Sequence, residues 1–250
     1  VVTLLTVLVA LAAWLVLVRH VRAPPSHGGG HGHHAVASLT DPGVPEAIAL
    51  ASGLAGVGLY LLMWGTMMIA MMYPSSARVF QVYADSLSDA TTGRRLLGIG
   101  LFIGTYTLVW TGLGFVPLGV NAVVPIAELG VTAKEGLLGG ALVVLAAYQL
   151  SPTKRRCLHH CRTPQERVHR VNDDGAIRQA LHVTLADVGS CWLLMGVLVV
   201  VGSMNLLWMA AVTVALSLER IAPDGVRLAR ALGVLAGIAG LVLMALVLLA

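Results

Sequence analysis

Long apolar runs separated by short polar segments make up most of this 250-residue chain. A helix needs roughly 20 apolar residues to cross the hydrocarbon core of a bilayer, within a range of roughly 17–25. No run alternates between apolar and polar positions over ~10 residues, as the strands of a membrane barrel do. The pattern therefore predicts an all-α, polytopic transmembrane helical bundle of about six to seven membrane helices. The seven apolar runs lie at about 1–18, 47–73, 96–118, 136–150, 180–201, 203–218 and 229–249.

The runs differ in length, and this affects how each is interpreted. Runs 136–150 and 203–218 are shorter than a full crossing, so each is a tilted partner, a half-helix or an extension of its neighbour. Run 47–73 is longer than required, and Pro74 is expected to end it. The first run is interpreted as a retained helix rather than a cleaved signal, because Arg19 and Arg22 follow it instead of preceding it.

Composition supports lipid as the solvent of this chain. The sequence is 57% hydrophobic and 11% charged, whereas a soluble domain has roughly 25% charged residues. The lipid bilayer is therefore the first expected partner. Nucleic acid is not expected, because the basic loop 151–179 lacks interleaved aromatic residues.

Three regions are predicted along the chain. Residues 1–46 form an N-terminal membrane helix with a His-rich loop, residues 47–221 a membrane core, and residues 222–250 a C-terminal membrane helix. Most of the 16 lysines and arginines fall in the loops after the second, fourth and sixth runs. Basic loops stay on the cytoplasmic side. The prediction is a multi-pass protein of the cell membrane with a cytoplasmic N-terminus.

Methionines concentrate in the second run, which reads MWGTMMIAMMYP. On a helix Met63, Met67 and Met71 form one stripe, and Met68 and Met72 form a second about 100° away. Soft thioether ligands favour Cu(I). The alternative is that these flexible side chains only fill gaps between helices.

Two cysteines and a histidine follow the fourth run in the segment KRRCLHHC. Cys157 and Cys161 share one face of a helix, with His160 beside them. Two thiolates and an imidazole suit Cu(I) or Zn(II), so copper is the expected metal and zinc the alternative. The other interpretation is a pair of reduced cysteines beside a basic cluster that binds anionic lipid.

An acidic residue interrupts the fifth run, in ADVGSCWLLM. Acids inside a membrane are costly, and they are usually functional or paired. Asp187, Cys191 and Met195 lie on one helical face, which would combine a carboxylate, a thiol and a thioether. The alternative is that Asp187 pairs with an arginine near the membrane boundary. In the predicted topology this face lies at the same depth as the methionines, the CLHHC segment and Glu219, which favours a functional site.

The loop after the first run contains the sequence HGGGHGHH. His27, His31 and His33 would be able to chelate Cu(II) or Zn(II) on the outer side. The alternative is a flexible polar loop whose histidines have no specific role.

The order of these motifs resembles the DUF2182 family of bacterial inner-membrane proteins, described as predicted metal-binding proteins. The resemblance rests on residues 64–75, 147–164, 189–195 and 202–209 and on Glu219–Arg220. It implies a helical membrane fold and metal binding, but no reaction. The family pattern at 187–192 is Cys-x-Gly-Cys-Cys-Trp, so Asp187 and Ser190 stand here in place of two cysteines.

The sequence thus predicts an integral membrane protein that binds copper at a Met/Cys/Asp site in the inner half of the bundle. The second hypothesis is a non-catalytic accessory subunit of a larger assembly, such as a copper membrane monooxygenase, with other membrane subunits as partners. Because the spacing assembles no acid–base or nucleophile–base pair, an enzyme in its own right is the least favoured hypothesis. The predicted ligands are Met67, Met68, Met71, Met72, Cys157, His160, Cys161, Asp187 and Cys191, with His27, His31 and His33 in the outer loop.

Overall fold

A computed structural model describes residues 2–22, 39–163 and 175–249 of the chain. Within these ranges all regular structure is helical, which confirms the predicted fold class. A short 3₁₀ turn, Ile126–Glu128, lies between α5 and α6. The α-helices are α1 (Val2–Arg22), α2 (Val44–Ala51), α3 (Gly53–Ser86), α4 (Thr92–Gly112), α5 (Phe115–Val123), α6 (Val131–Leu150), α7 (Pro152–Arg162), α8 (Ala176–Val201), α9 (Leu206–Ile221) and α10 (Gly225–Leu249).

Six stretches of the described helices are long and apolar enough to cross a membrane. Run 136–150, which looked short, extends back to Val131 and reaches 20 residues. The arrangement is compatible with a multi-pass membrane protein. The six stretches are Val2–Val21, Gly53–Ser86, Thr92–Val123, Val131–Leu150, Ala176–Val201 and Gly225–Leu249.

Helix α9 is shorter, at 16 residues. A turn at Gly202 joins it to α8, and Arg220 near its end reaches back to Asp187. The two helices therefore run antiparallel. At ~1.5 Å per residue α9 is ~24 Å long, so it covers most of a hydrocarbon core of ~30 Å.

Pro74 does not end α3, contrary to the prediction. The helix continues through Pro74 to Ser86. Within a packed bundle, neighbouring helices and hydroxyl side chains compensate for the backbone donor that proline lacks. Here the Ser75 hydroxyl donates to the Met72 carbonyl at 3.0 Å. The break in this run comes much earlier, where α2 ends and Gly53 adopts a φ of +65°.

Helix α3 lies at the centre of the bundle and packs against α1, α2, α4 and α9. The Trp14 indole of α1 donates to the Ala70 carbonyl of α3 at 3.1 Å. Leucines such as Leu108 and Leu241 point outward and are more than half exposed, as lipid-facing side chains are. This exposed apolar surface is compatible with contact to lipid, while the methionine-rich middle of α3 is buried inside.

Helices α6 and α10 pack along each other at a glycine contact. A Cβ atom at Gly240 would lie 2.8 Å from the Gly139 carbonyl oxygen. Small residues let membrane helices approach this closely, and the pair then gains van der Waals contact along its length. The last helix is thus held to the bundle mainly through α6.

We expect Gly240→Ala to destabilise the protein, because the added methyl group would push α10 away from α6. The expected loss is about 1–3 kcal/mol of unfolding free energy, measured by denaturant titration in detergent. Gly140→Ala on α6 is the matched control, since no atom lies within 4 Å of the Cβ position there. Equal effects of the two substitutions would contradict this account of the helix pair.

Candidate functional site

An ion pair is buried where α8 meets α9. Arg220 Nη2 lies 2.8 Å from Asp187 Oδ1, and the two side chains are 4% and 7% exposed. The other carboxylate oxygen, Oδ2, accepts hydrogen bonds from the Tyr106 hydroxyl at 2.5 Å and from Ser76 Oγ at 3.3 Å. The alternative interpretation of Asp187, pairing with an arginine, is therefore confirmed. Its role as a metal ligand stays a prediction.

Arg220 also bonds to one further helix and to a second residue of α8. Its Nη1 donates to Ser75 Oγ on α3 at 2.8 Å, and its Nη2 donates to Ser190 Oγ on α8 at 3.2 Å. Ser190 is one of the two positions where the resembling family has cysteine. In this chain the Ser190 hydroxyl accepts a hydrogen bond from Arg220.

A second buried pair lies beside the first. Lys154 Nζ on α7 is 2.7 Å from Glu219 Oε2, and both side chains are 1% exposed. Lys154 also donates to the Ser190 carbonyl, and Gln149 donates to Glu219 Oε1 at 2.8 Å. Glu219 and Arg220 are neighbours in sequence, but successive helical residues point ~100° apart. The last turn of α9 therefore takes part in two different ion pairs.

The three cysteines surround one turn of α8. Cys161 Sγ donates to Asp187 Oδ1 at 3.7 Å, and Cys191 Sγ donates to the Asp187 carbonyl at 3.1 Å. A Cβ atom at Gly189 would lie 3.2 Å from Cys157 Sγ, so the missing side chain makes room for that thiol. None of the three forms a disulfide, and Cys191 is buried. As predicted, α7 presents both of its cysteines to α8.

Four of the five methionines of α3 are fully enclosed, and Met63 is partly buried. Met71 and Met72 precede Ser75 and Ser76 by one helical turn and share their faces. They therefore lie one turn away from the Asp187–Arg220 pair. Four predicted ligands have 0–2% exposure and belong to one buried cluster with Met195 and Met209: Met67, Met68, Met71 and Met72. Both gap filling and metal binding require this burial, so the ligand role stays a prediction.

The donors present determine which metal would fit. In the part of the chain that the structure describes, no three His, Cys, Asp or Glu side chains are grouped closely enough to hold an ion. A site here would thus combine thiols with thioethers, a soft set that fits Cu(I) better than Zn(II). The side chain of His160, together with His27, His31 and His33, lies outside the described residues.

Sequence reasoning missed several members of this cluster. Lys154 was grouped with the exposed basic residues of its segment, but it is buried. A signal was present, because Lys154, Cys157, Leu158 and Cys161 follow the i, i+3, i+4, i+7 spacing of one helical face. Tyr106 and Gln149 had no such signal, since each is one polar residue in an apolar run.

Among known protein families, one family model matches the chain. A family model described as "PpoB2: Copper chaperone" matches residues 61–243. This stretch contains every element of the charged and sulfur-bearing cluster. No curated protein and no solved structure matches the chain.

We expect Asp187→Asn to cost about 3–5 kcal/mol of unfolding free energy, because it leaves Arg220 buried without a counter-ion. Denaturant titration in detergent is the measurement. Combining Asp187→Asn with Arg220→Met should recover much of the loss, since no buried charge then remains unpaired.

The control is another Asp–Arg pair of the same chain. Asp224 and Arg227 are 3.2 Å apart, with side chains 63% and 82% exposed. Asp224→Asn should cost less than ~1 kcal/mol. A similar loss in both single variants would contradict the importance of burial.

Proposed function

The chain belongs to the PpoB2 copper chaperone family, and from that membership we propose that it binds Cu(I) within the membrane and passes it on. The supporting observation is that the three cysteine thiols lie around the α8 turn of Asp187, while buried methionines of α3 lie one turn from the serines that bond to the same ion pair. The family favours copper over zinc, and the donor set agrees.

Four methionines of α3 would hold the ion in the bundle interior. A thioether is neutral and soft, so it binds Cu(I) without adding charge to a low-dielectric core. The ligands in this proposal are Met67, Met68, Met71 and Met72. The same residues were predicted from their spacing.

The cysteines would receive the ion next. Cys157 and Cys161 are only half-buried, whereas these four methionines of α3 are enclosed. Release from the bundle would therefore pass through α7. Cys191 is buried on the α8 side and would complete the sulfur set.

Asp187 has a supporting role in this proposal. The Asp187 carboxylate accepts the hydrogen bond of the Cys161 thiol and so orients that sulfur. Arg220 holds the carboxylate in place at 2.8 Å. Asp187 then acts as a positioning residue beside the ligands.

Two finer points belong to the same proposal. The resemblance to DUF2182 proteins supports a bacterial inner-membrane location. The basic loops between the helices support a cytoplasmic N-terminus, which would put the thiols on the cytoplasmic side. Copper would then leave the bundle toward the cytoplasm.

We expect the double variant Cys157→Ser/Cys161→Ser to lose copper while its fold is retained. Met71→Leu/Met72→Leu should also lower copper content, because leucine keeps the volume and removes the sulfur. Copper per chain is measured by elemental analysis of the detergent-purified protein, reconstituted with Cu(I) under anaerobic, reducing conditions. Met244→Leu is the matched control, since Met244 lies on α10 against Gly139, away from the thiols.

Unchanged copper in the cysteine variant would contradict the thiol site. A metal-free chain that copurifies with other membrane proteins in fixed proportion would instead favour the accessory-subunit hypothesis. Gel bands from the same sample separate these outcomes.

A further inference from the structure

A third buried acid lies at the far end of the bundle. Glu46 on α2 is 0% exposed. Its Oε1 accepts hydrogen bonds from the Tyr60 hydroxyl at 2.8 Å and from Ser203 Oγ at 2.7 Å. Tyr60 precedes Ser75 by 15 residues on α3, which is ~22 Å along the helix axis. Glu46 is therefore remote from the Asp187 cluster.

Glu46 differs from the other buried acids in its charge balance. Asp187 and Glu219 each face a basic side chain at under 3 Å. Among the described residues Glu46 has no such cation, and its Oε2 is buried without a hydrogen-bond partner. A buried carboxylate without a counter-ion is strongly disfavoured. Within the described residues, no basic side chain therefore offsets a negative charge on Glu46.

A cavity of about 530 Å³ lies between α1, α2 and α3. Tyr60, whose hydroxyl donates to Glu46, lines this cavity together with Pro45 and Met204, so the carboxylate is linked to the cavity wall by one hydrogen bond. Its wall also carries Met63 and His20. Two thioethers and an imidazole, all soft or borderline donors, therefore face a space large enough for an ion.

We infer that this cavity is a second Cu(I) site, with Met63, Met204 and His20 as ligands and Glu46 as the balancing charge. The inference shares the copper cargo of the proposed function but none of its ligands. Thioether and imidazole donors are neutral, so a bound Cu(I) would keep its full positive charge. The uncompensated carboxylate of Glu46 offsets that charge inside the bundle.

The lining argues against a hard cation. Calcium and magnesium require several oxygen ligands, whereas the cavity wall is mainly apolar, with leucines and valines from α1 and α3. Sulfur and imidazole are the ligands that Cu(I) prefers. The lining chemistry therefore selects a soft ion.

Copper bound in the cavity would be passed on to the methionines and cysteines of the proposed function. Met63 stands one turn before Met67 on α3, and Met67 stands one turn before Met71. Each step is about 6 Å along the helix axis. The stripe leads from the cavity to the turn beside Ser75 and Arg220. Copper would enter at the cavity and move along these thioethers toward the cysteines.

The test is a titration of the full chain with Cu(I) against a chromophoric Cu(I) chelator, in detergent under anaerobic, reducing conditions. Wild type should bind about two Cu(I) per chain, one at the cavity and one that the methionines and cysteines of the proposed function share. Met63→Leu/Met204→Leu should lose one, and Cys157→Ser/Cys161→Ser should lose the other. Met244→Leu should lose neither.

Glu46→Gln isolates the balancing charge. Glutamine keeps the size of the side chain and its acceptor oxygen, but it carries no charge. Binding at the cavity should weaken by about 10–100-fold, as for other groups that support metal ligands. Thermal stability in the absence of copper should not fall, because the substitution removes an unpaired acid.

Each outcome separates the two proposals. If Met63→Leu/Met204→Leu keeps all of the wild-type copper while the cysteine variant loses it, the second site is overturned and the thiol site stands. If only the methionine variant loses copper, the thiol site fails and the cavity stands. Copper affinity unchanged in Glu46→Gln would overturn the role of that carboxylate.

Discussion

The structure depends on one constraint: at the charged end of the bundle, each buried charged side chain needs a counter-ion. Lys154, Asp187, Glu219 and Arg220 satisfy it as two adjoining pairs, with no net charge among them. Buried pairs of this kind add little net stability, but separating one is costly. They therefore determine which helices meet. The contacts of Glu219 and Arg220 bring α3, α6, α7 and α8 together around α9.

The fold was largely predictable because the rule for membrane helices concerns length and polarity alone. Runs of apolar residues located the six long stretches. The same rule failed at Pro74, because the cost of a proline depends on neighbours that an isolated segment does not reveal. It also left α9 undecided, since 16 residues are too few to classify without the antiparallel contact to α8.

The sulfur-bearing site was predictable where residues are close in sequence. Helical spacing placed Cys157 with Cys161, and a shared depth placed both near Asp187. In the structure Cys161 donates a hydrogen bond to Asp187, and Cys157 lies against Gly189. The pairing of Lys154 with Glu219 crosses 65 positions, and a single sequence carries no record of such distant contacts. Glu46 was missed for a related reason. At the edge of an apolar run it resembles an ordinary boundary residue, and only its packing shows it to be buried.

The adjacency of Glu219 and Arg220 has a consequence for how this protein tolerates insertions and deletions. Adding or removing one residue between Gly202 and Glu219 would turn the end of α9 by ~100°. Both acid–base partners would then rotate away together. The number of residues in the hairpin of α8 and α9 is therefore fixed by the two ion pairs at its end. The segment between Ser86 and Thr92 has no buried ion pair of this kind, so a change in its length would turn no ion pair out of register.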